Sequence, residues 1–267
     1  MKCGFIGLGS QGGPMARRMI DGGYEVVLWA RRPESLEPYA NSGATFANSV
    51  SDLAGQVQLC GVCVVDDAGV QTVCDELIPG MAPGGVILIH STVHPELCRS
   101  LANQAKAKGL MLLDAPVSGG GEGAANGTLT VMVGGESGTV NAVRPVLETF
   151  AGTIVHLGDV GAGQVAKLVN NSMMAANLAV SHFALEAAKT LHVDPHAFTE
   201  LVKVSSGRSF AFDVCARMPE PAAFNHGAKL LAKDVHLLGE SIGSDDPSFK
   251  FIRDTATTFL DLALELK

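Results

Sequence analysis

The chain has 267 residues, of which 47% are hydrophobic and 17% charged. A chain of this length and apolar content buries a sizeable core, as one large domain or two smaller ones, and is not disordered. Acidic residues outnumber basic ones by 27 to 19, which gives a formal net charge of −8. That balance argues against a surface that binds DNA or RNA, so no nucleic-acid partner is expected.

The six cysteines show no spacing that would complete a metal site. Cys60 and Cys63 have CxxC spacing, but they lie in an apolar segment typical of a strand, and a second pair is missing. We therefore expect buried thiols, no metal and a reducing compartment. The sequence starts with a strand pattern rather than a signal peptide, and we expect a cytoplasmic protein.

The N-terminal segment has the pattern of a dinucleotide-binding unit. In order, it predicts a strand at 2–7, a turn Gly7-Leu8-Gly9-Ser10-Gln11-Gly12, a helix at 14–20 and a strand at 24–29. In such units the first glycine allows a tight turn, the second lets the backbone approach the pyrophosphate, and the third allows close packing of helix on strand. The N–H groups at the start of the helix then hold the diphosphate.

The residues after the second strand indicate which dinucleotide binds. A site that prefers NAD has an acid here for the ribose 2′-hydroxyl, whereas this chain has Arg31 and Arg32. Guanidinium groups offer a planar set of donors that suits a 2′-phosphate, so the pattern favours NADP over NAD. The two arginines could instead be solvated charges at the start of a helix.

Strands and helices then alternate as in a mostly parallel sheet. The predicted strands are 58–65, 85–89 and 110–114, and the predicted helices between them are 67–77 and 95–108. Ligands of such sheets bind at the carboxyl ends of the strands. We therefore expect residues 64–67 and Ser91-Thr92, and among them Val64, Val65 and Thr92, to face the cofactor, although Asp67 could instead be only a helix N-cap.

A glycine-rich segment from Ser118 to Thr128 comes next. With the hydroxyl of Ser118 and the N–H groups of Gly119 and Gly120 it could form an anion-binding loop, or it could be a flexible linker. Further strands are predicted at 129–134 and 153–157 with a helix at 137–150, and only helices follow Gly161. The predicted fold class is an α/β Rossmann-like N-terminal domain, residues 1–159, followed by an all-α C-terminal domain, residues 160–267.

One lysine near the start of the helical domain could be either a surface charge or a catalytic group. Lys167 and Asn171 are four residues apart, which places both side chains on one face of a helix. Residues 168–185 contain no Lys, Arg, Asp or Glu and have about the length of a membrane span. Their asparagine, serine and histidine side chains argue against a span, so we expect a helix buried in the protein or between subunits, and no membrane partner.

Four motifs, taken together, are more specific than any of these patterns alone. They are residues 7–12 with Pro14-Met15-Ala16; Asp114-Ala-Pro-Val-Ser118-Gly119-Gly120; Gly161-x-Gly163 with Lys167, Asn170 and Asn171; and Lys233-Asp234-Val235-His236-Leu237. With them the chain resembles the β-hydroxyacid dehydrogenase family over essentially its whole length. That family includes 3-hydroxyisobutyrate, tartronate semialdehyde and glyoxylate/succinic semialdehyde enzymes.

The resemblance implies hydride transfer to or from a small β-hydroxy acid or semialdehyde, in a homodimer or homotetramer. With the arginine pair, the expected cofactor is NADP, and NAD is possible. It implies that Lys167 is the catalytic general acid/base. The substrate-binding residues that it implies are Ser118, Gly119, Gly120 and Asn171. The cofactor-binding residues predicted from the motifs and the resemblance are Gly7, Leu8, Gly9, Ser10, Gln11, Gly12, Arg31, Arg32, Val64, Val65, Thr92 and Lys233.

Two other functions are compatible with the same fold. An imine reductase would share the architecture, but those enzymes generally lack a lysine at the position of Lys167. A non-catalytic NADP-binding module would be free to lose Ser118, Lys167 and Asn171, all of which are present. Arg208 could pair with a second substrate carboxylate or cap a helix C-terminus.

Overall fold

A computed structural model describes residues 1–265 and divides the chain into two compact units, Met1–Lys167 and Leu168–Lys267. The first unit contains parallel strands that alternate with helices, and the second is helical, so the predicted fold class is confirmed. The domain boundary expected after residue 159 stays a prediction. Residues 266 and 267 of the predicted helical domain lie outside the described residues.

A six-stranded sheet forms the centre of the first unit. The strands of this unit are β1 (Lys2–Ile6), β2 (Glu25–Trp29), β3 (Thr45–Phe46), β4 (Leu59–Val62), β5 (Val86–Ile89), β6 (Met111–Asp114), β7 (Val117–Ser118), β8 (Leu129–Val133) and β9 (Ala151–His156). The sheet has the order β3-β2-β1-β4-β5-β6, and all of its pairs are parallel. The strand order reverses between β1 and β4, and open α/β sheets bind ligands at the carboxyl edge of such a point.

A second, three-stranded sheet contains the last strands of this unit. Strand β8 pairs antiparallel with β7 and parallel with β9. The end of β6 is connected to the end of β8 because Asp114 and Gly134 exchange both backbone hydrogen bonds. This connection brings Asp114 to the edge from which the next helix starts.

Helices cover both faces of the six-stranded sheet. They are α1 (Gly12–Asp21), α2 (Val50–Ala54), α3 (Asp67–Gly80), α4 (Pro95–Ala107), α5 (Gly120–Asn126) and α6 (Ser137–Leu147), with a 3-10 helix at Pro33–Tyr39. Successive residues of a strand point to opposite faces, and Phe5 and Ile6 accordingly belong to two different core clusters. Because both faces are buried, the central strands are apolar throughout rather than alternating in polarity.

The second unit is built on one long helix and the helices that follow it. These are α7 (Ala162–Thr190), which starts in the first unit, α8 (Pro195–Lys203), α9 (Phe210–Arg217), α10 (Asn225–Ile242) and α11 (Pro247–Leu264), with a 3-10 helix at Pro221–Phe224. On α7, Ala175 and Leu178 are buried in the core of this unit, whereas Met173, Val180 and Phe183 are at least half exposed. Among the described residues, no helix is long and apolar enough to cross a membrane.

The glycine-rich segment after Ser118 differs from both sequence expectations, because Gly120–Asn126 form helix α5 rather than a loop or a linker. Positive φ angles of 128° at Gly119 and 66° at Gly120 turn the chain into this helix. A Cβ at Gly121 would lie 2.5 Å from the carbonyl oxygen of Ser10, so only glycine allows this packing. Tertiary packing has overridden the low helix propensity of glycine.

A buried histidine lies between Phe5 of β1 and Phe150, which follows α6. The ring of His90 stacks on Phe5 at 6.0 Å and meets Phe150 edge-on at 5.6 Å. Its Nδ1 is 2.8 Å from the carbonyl oxygen of Ala115, so this nitrogen carries the proton and donates. Burial lowers the pKa of His90 to about 4, because the imidazolium would lose its hydration, and the bond to Ala115 opposes this only in part.

We predict that His90 makes the fold sensitive to acid. In the unfolded chain the imidazole has an ordinary pKa of 6.5 and binds a proton that the folded protein accepts only near pH 4. The free energy of unfolding should therefore fall as the pH is lowered through this window, by about 3 kcal/mol from this group. His90→Asn keeps a donor for Ala115 but does not titrate, so in urea denaturation it should lose this part of the pH dependence. An unchanged dependence in the variant would contradict the assignment.

Candidate functional site

The turn between β1 and α1 can form only with glycine at two of its positions. Gly7 has a φ of +99°, and a Cβ there would lie 2.1 Å from the carbonyl oxygen of Cys63. A Cβ at Gly12 would lie 2.1 Å from the carbonyl oxygen of Gly7. Gly9 is different, because a Cβ there would meet no atom of the described residues within 4 Å.

The exposed side of this turn fits the diphosphate of a dinucleotide. Gly9 and Ser10 are exposed, and Leu8 and Gln11 are half-buried. Gln11 is the N-cap of α1, but within residues 1–265 its side chain makes no capping hydrogen bond. Unbonded N–H groups at a helix start carry a partial positive charge, and open space faces Gly9, so an anion can approach the backbone closely.

The segment predicted to bind substrate lies beside the glycine turn. The close approach of Gly121 to Ser10 places the start of α5 against residues 7–12. Ser118 is half-buried at the end of β7, and Gly119 and Gly120 are exposed. The structure thus brings together two of the four sequence motifs within the first unit.

The carboxyl ends of β4 and β5 are joined by a hydrogen bond. The N–H of Val64 donates to Ser91 Oγ at 2.8 Å, and Val65 is 82% exposed. Thr92 is half-buried in the segment that follows β5. Asp66 rather than Asp67 caps α3, so the N-cap alternative for Asp67 is wrong. Asp67 instead accepts the N–H of His94 at 3.0 Å.

Two buried polar residues hold the start of α7, a role that the sequence did not predict for either of them, although Asp114 is the first residue of the second sequence motif. Asp114 is fully buried and accepts the N–H of Gly161 at 2.6 Å and that of Gln164 at 2.8 Å. Gln164, also fully buried, donates from Nε2 to the carbonyl oxygen of Ser91 and accepts the N–H of Val93. Burial raises the pKa of Asp114, and the bonds from Gly161 and Gln164 oppose this by favouring the carboxylate.

Lys167 follows Gln164 by one helical turn and is 8% exposed. Lysine is almost never this buried without a structural or functional reason. Lys167 is therefore a buried residue and not a solvated surface charge. The lysine lies on the part of α7 that Asp114 and Gln164 hold at the sheet edge.

In the second unit, a buried carboxylate connects Asn171 and Lys233. Asp234 is 2% exposed, and its Oδ2 accepts from Asn171 Nδ2 at 2.5 Å. Lys233 Nζ is 3.0 Å from Asp234 Oδ1. Because a carboxylate only accepts, the nitrogen of the Asn171 amide faces Asp234 and its oxygen faces away. Asp234 belongs to the fourth sequence motif, but its role as the connecting residue required the structure.

Three arginines of interest are exposed. Arg31 and Arg32 follow β2, which is adjacent to β1 in the sheet, and are accessible to a cofactor on that edge. Arg208 lies in the connection between α8 and α9. Among the described residues, no cluster of three or more His, Cys, Asp or Glu could hold a metal ion.

Comparisons with known proteins agree with this architecture. A family profile described as the NAD binding domain of 6-phosphogluconate dehydrogenase matches residues 2–158. A second profile, described as NAD-binding of NADP-dependent 3-hydroxyisobutyrate dehydrogenase, matches residues 161–254. Together the two profiles cover most of each unit.

Individual proteins are also similar over nearly the full length. The chain is 35% identical to 3-hydroxyisobutyrate dehydrogenase of Pseudomonas aeruginosa, over 87% of this chain and 82% of that one. It is 33% identical to NAD-dependent L-serine dehydrogenase of the same species, over 89% and 84%. The structure of Mycobacterium tuberculosis 3-hydroxyisobutyrate dehydrogenase with L-serine aligns with a TM-score of 0.87 at 27% identity, over 98% and 94%.

The fold, the glycine turn and the profiles define an oxidoreductase that uses a nicotinamide cofactor. The chain belongs to the β-hydroxyacid dehydrogenase family. The resemblance and the enzyme class expected from the sequence are thereby confirmed. The roles expected of individual site residues stay predictions.

We predict that two alanine substitutions in the glycine turn separate folding from cofactor binding. Gly12→Ala forces a Cβ against the Gly7 carbonyl and should lower the free energy of unfolding by about 1–3 kcal/mol. Gly9→Ala meets open space, so it should keep the wild-type Tm but weaken NADPH binding, because the backbone can no longer approach the diphosphate. Thermal unfolding and fluorescence titration with NADPH measure the two effects. Equal losses of Tm in both variants would contradict this division.

Proposed function

We propose that the chain transfers hydride between NADP(H) and a small β-hydroxy acid or the corresponding semialdehyde, with Lys167 as the general acid/base. The observation that carries this proposal is the burial of Lys167 on a helix turn held at the carboxyl edge of the nucleotide-binding sheet. A buried titratable group in such a place is a candidate for proton transfer.

The cofactor is assigned to residues 7–12, with Val64, Val65 and Thr92 at the neighbouring strand ends. When bound, the nicotinamide supplies or accepts the hydride. The exposed pair Arg31 and Arg32 supports NADP. The segment directly after β2 lacks the acidic residue that would repel a 2′-phosphate, and its two guanidinium groups can bind one. By its motif, Lys233 is assigned as a further cation for the cofactor.

The substrate is assigned to Ser118, Gly119, Gly120 and Asn171. The Ser118 hydroxyl and the exposed backbone N–H groups can hold a carboxylate. Gly121 packs against Ser10, so this segment lies beside the turn assigned to the cofactor. The amide of Asn171, whose nitrogen faces Asp234, is assigned to orient the substrate. The relatives named above act, by their names, on 3-hydroxyisobutyrate and L-serine. Both compounds carry a hydroxyl on the carbon β to a carboxylate, which defines the proposed substrate class.

Lys167 completes the proton balance of the reaction. In the reductive direction a hydride, which is one proton with two electrons, reaches the carbonyl carbon, and the Lys167 ammonium donates a proton to the carbonyl oxygen. The product is an alcohol, and the neutral amine regains its proton from solvent. In the oxidative direction the neutral amine accepts the hydroxyl proton as hydride leaves. General acid/base catalysis of this kind contributes roughly 100- to 10,000-fold to the rate.

Two further assignments accompany this proposal. The exposed apolar residues Met173, Val180 and Phe183 on α7 support a homodimer or homotetramer, as the family resemblance implies. The cytoplasm is the proposed location. An imine reductase remains disfavoured because Lys167 is present, and a non-catalytic module because Ser118, Lys167 and Asn171 are all retained.

We predict that Lys167→Ala loses most of its turnover, by about 100- to 10,000-fold, while NADPH binding is kept. The substrate panel consists of 3-hydroxyisobutyrate and L-serine with NADP+ or NAD+, and of glyoxylate and the semialdehydes of succinate, methylmalonate and tartronate with NADPH or NADH. Absorbance of the reduced nicotinamide follows the reaction, and fluorescence titration measures NADPH binding.

The matched control is Lys189→Ala, which removes an exposed lysine of the same helix that is paired only with Glu186 among the described contacts. It should keep wild-type turnover. Full turnover in Lys167→Ala would exclude the acid/base role. Tight NADPH binding without activity on any member of the panel would favour the non-catalytic module.

We predict that the arginine pair sets the preference for NADP. Arg31→Ala and Arg32→Ala each remove a charged donor, and hydrogen bonds to charged groups contribute about 1.5–3 kcal/mol, so the Kd for NADPH should rise about 10- to 100-fold. Titration with NADH is the internal control, because NADH lacks the 2′-phosphate and should bind with little change. Equal losses for both cofactors would show that the arginines do not recognise the phosphate.

A further inference from the structure

The amide of Gln164 is hydrogen bonded at both ends to one short backbone segment. Its Nε2 is 2.8 Å from the carbonyl oxygen of Ser91, and its Oε1 is 3.1 Å from the nitrogen of Val93. The two bonds flank Thr92, the residue assigned to the nicotinamide. Because the planar amide presents a donor and an acceptor at a fixed spacing, it holds this segment in one register with α7.

The bonds of Gln164 belong to a longer path. Its backbone N–H donates to Asp114, and Ser91 Oγ accepts the N–H of Val64. The path therefore runs from the end of β4 through the segment after β5 to the first turn of α7 and the end of β6. All of these residues, and Lys167, belong to the first compact unit.

This path determines where the lysine stands. One helical turn separates Gln164 from Lys167, so a shift of the first turn moves the Cα of Lys167 by a similar distance. Proton and hydride transfer are sensitive to such shifts, because a misplacement of about 1 Å can cost roughly 100-fold in rate. Without the amide, the carbonyl oxygen of Ser91 and the N–H of Val93 would lose their hydrogen-bond partners. The segment would then rearrange so that these two groups find other partners or water.

We propose that Gln164 is a positioning residue, which holds Lys167 at the distance from the Ser91–Val93 segment that the reaction requires. This proposal rests on the acid/base role of Lys167. Gln164 acts through the lysine rather than on the substrate. Its loss therefore lowers kcat and leaves the KM for substrate nearly unchanged. The affinity for NADPH falls at most slightly, because most of the assigned cofactor contacts, in residues 7–12, do not depend on the Ser91–Val93 segment.

The test is a double-mutant cycle with Gln164→Leu, Lys167→Ala and the double variant. It is assayed on the panel substrate that the wild-type enzyme converts fastest. Leucine keeps much of the volume of the side chain and removes both polar atoms. We expect Gln164→Leu to lower kcat about 100-fold. The double variant should turn over no more slowly than Lys167→Ala alone, because the amide has no effect once the lysine is absent. A full multiplicative loss in the double variant, or an unchanged kcat in Gln164→Leu, would overturn the proposal.

A second readout uses the protein without cofactor or substrate. Amide hydrogen exchange should speed up in residues 91–94 and 161–167 of Gln164→Leu, where the bonds of the amide are lost. If Gln164→Leu does not fold, Gln164→Asn keeps the polar atoms but is too short for both bonds, and it should show the same two effects. Unchanged exchange in these segments would also overturn the proposal.

The controls separate this proposal from the proposed function. Ser172→Ala removes another fully buried polar group of α7, whose hydroxyl has no hydrogen-bond partner among the described residues, and it should change neither kcat nor exchange near Ser91. If Lys167→Ala keeps wild-type turnover, the acid/base role fails. The exchange measurement then still decides whether Gln164 holds the helix start.

Discussion

The proposed chemistry depends on one buried carboxylate, that of Asp114, at the start of α7. A buried charge is tolerated only where hydrogen bonds replace its hydration, and the first N–H groups of a helix supply such bonds together with a favourable dipole. Asp114 accepts from Gly161 and Gln164 and exchanges backbone bonds with Gly134. These bonds fix the start of α7, the helix that carries Lys167, at the end of β6. The position of the lysine follows from this single attachment and from the amide bonds of Gln164.

The cofactor side of the site follows a different constraint, which is the close approach of backbone to backbone. Gly7 lies against Cys63, Gly12 against Gly7, and Gly121 against Ser10. These contacts leave Gly9 facing open space, so recognition of a diphosphate can rely on backbone N–H groups. Among the side chains assigned to the cofactor, the exposed Arg31 and Arg32 are the pair that can determine which dinucleotide is preferred. We therefore expect binding and selectivity to come from separate groups, so that substitution can change one without the other.

Long apolar runs and glycine turns were predictable from the sequence, and contacts between distant residues were not. Strands β1, β4 and β5 were recognisable because both of their faces are buried. The two-residue strand β3 is too short to give a pattern, and the glycines of α5 suggested a loop because local propensity cannot register packing against α1. The partners of the Gln164 side chain, Val93 and Ser91, are 71 and 73 residues away in the chain. For Lys167 the family motif indicated chemistry, but its burial became visible only in the folded chain.

In the proposed reaction, Lys167 transfers the proton that accompanies hydride transfer. The most direct measurement is the single-turnover reduction of NADP+ by 3-hydroxyisobutyrate, or by L-serine if that is the better substrate, in Lys167→Ala with and without added methylamine. A small amine that enters the space left by the side chain can accept the hydroxyl proton in its place. We expect the lost single-turnover rate to recover with rising methylamine concentration, in proportion to the neutral amine. A wild-type rate in the variant without methylamine would contradict the claim.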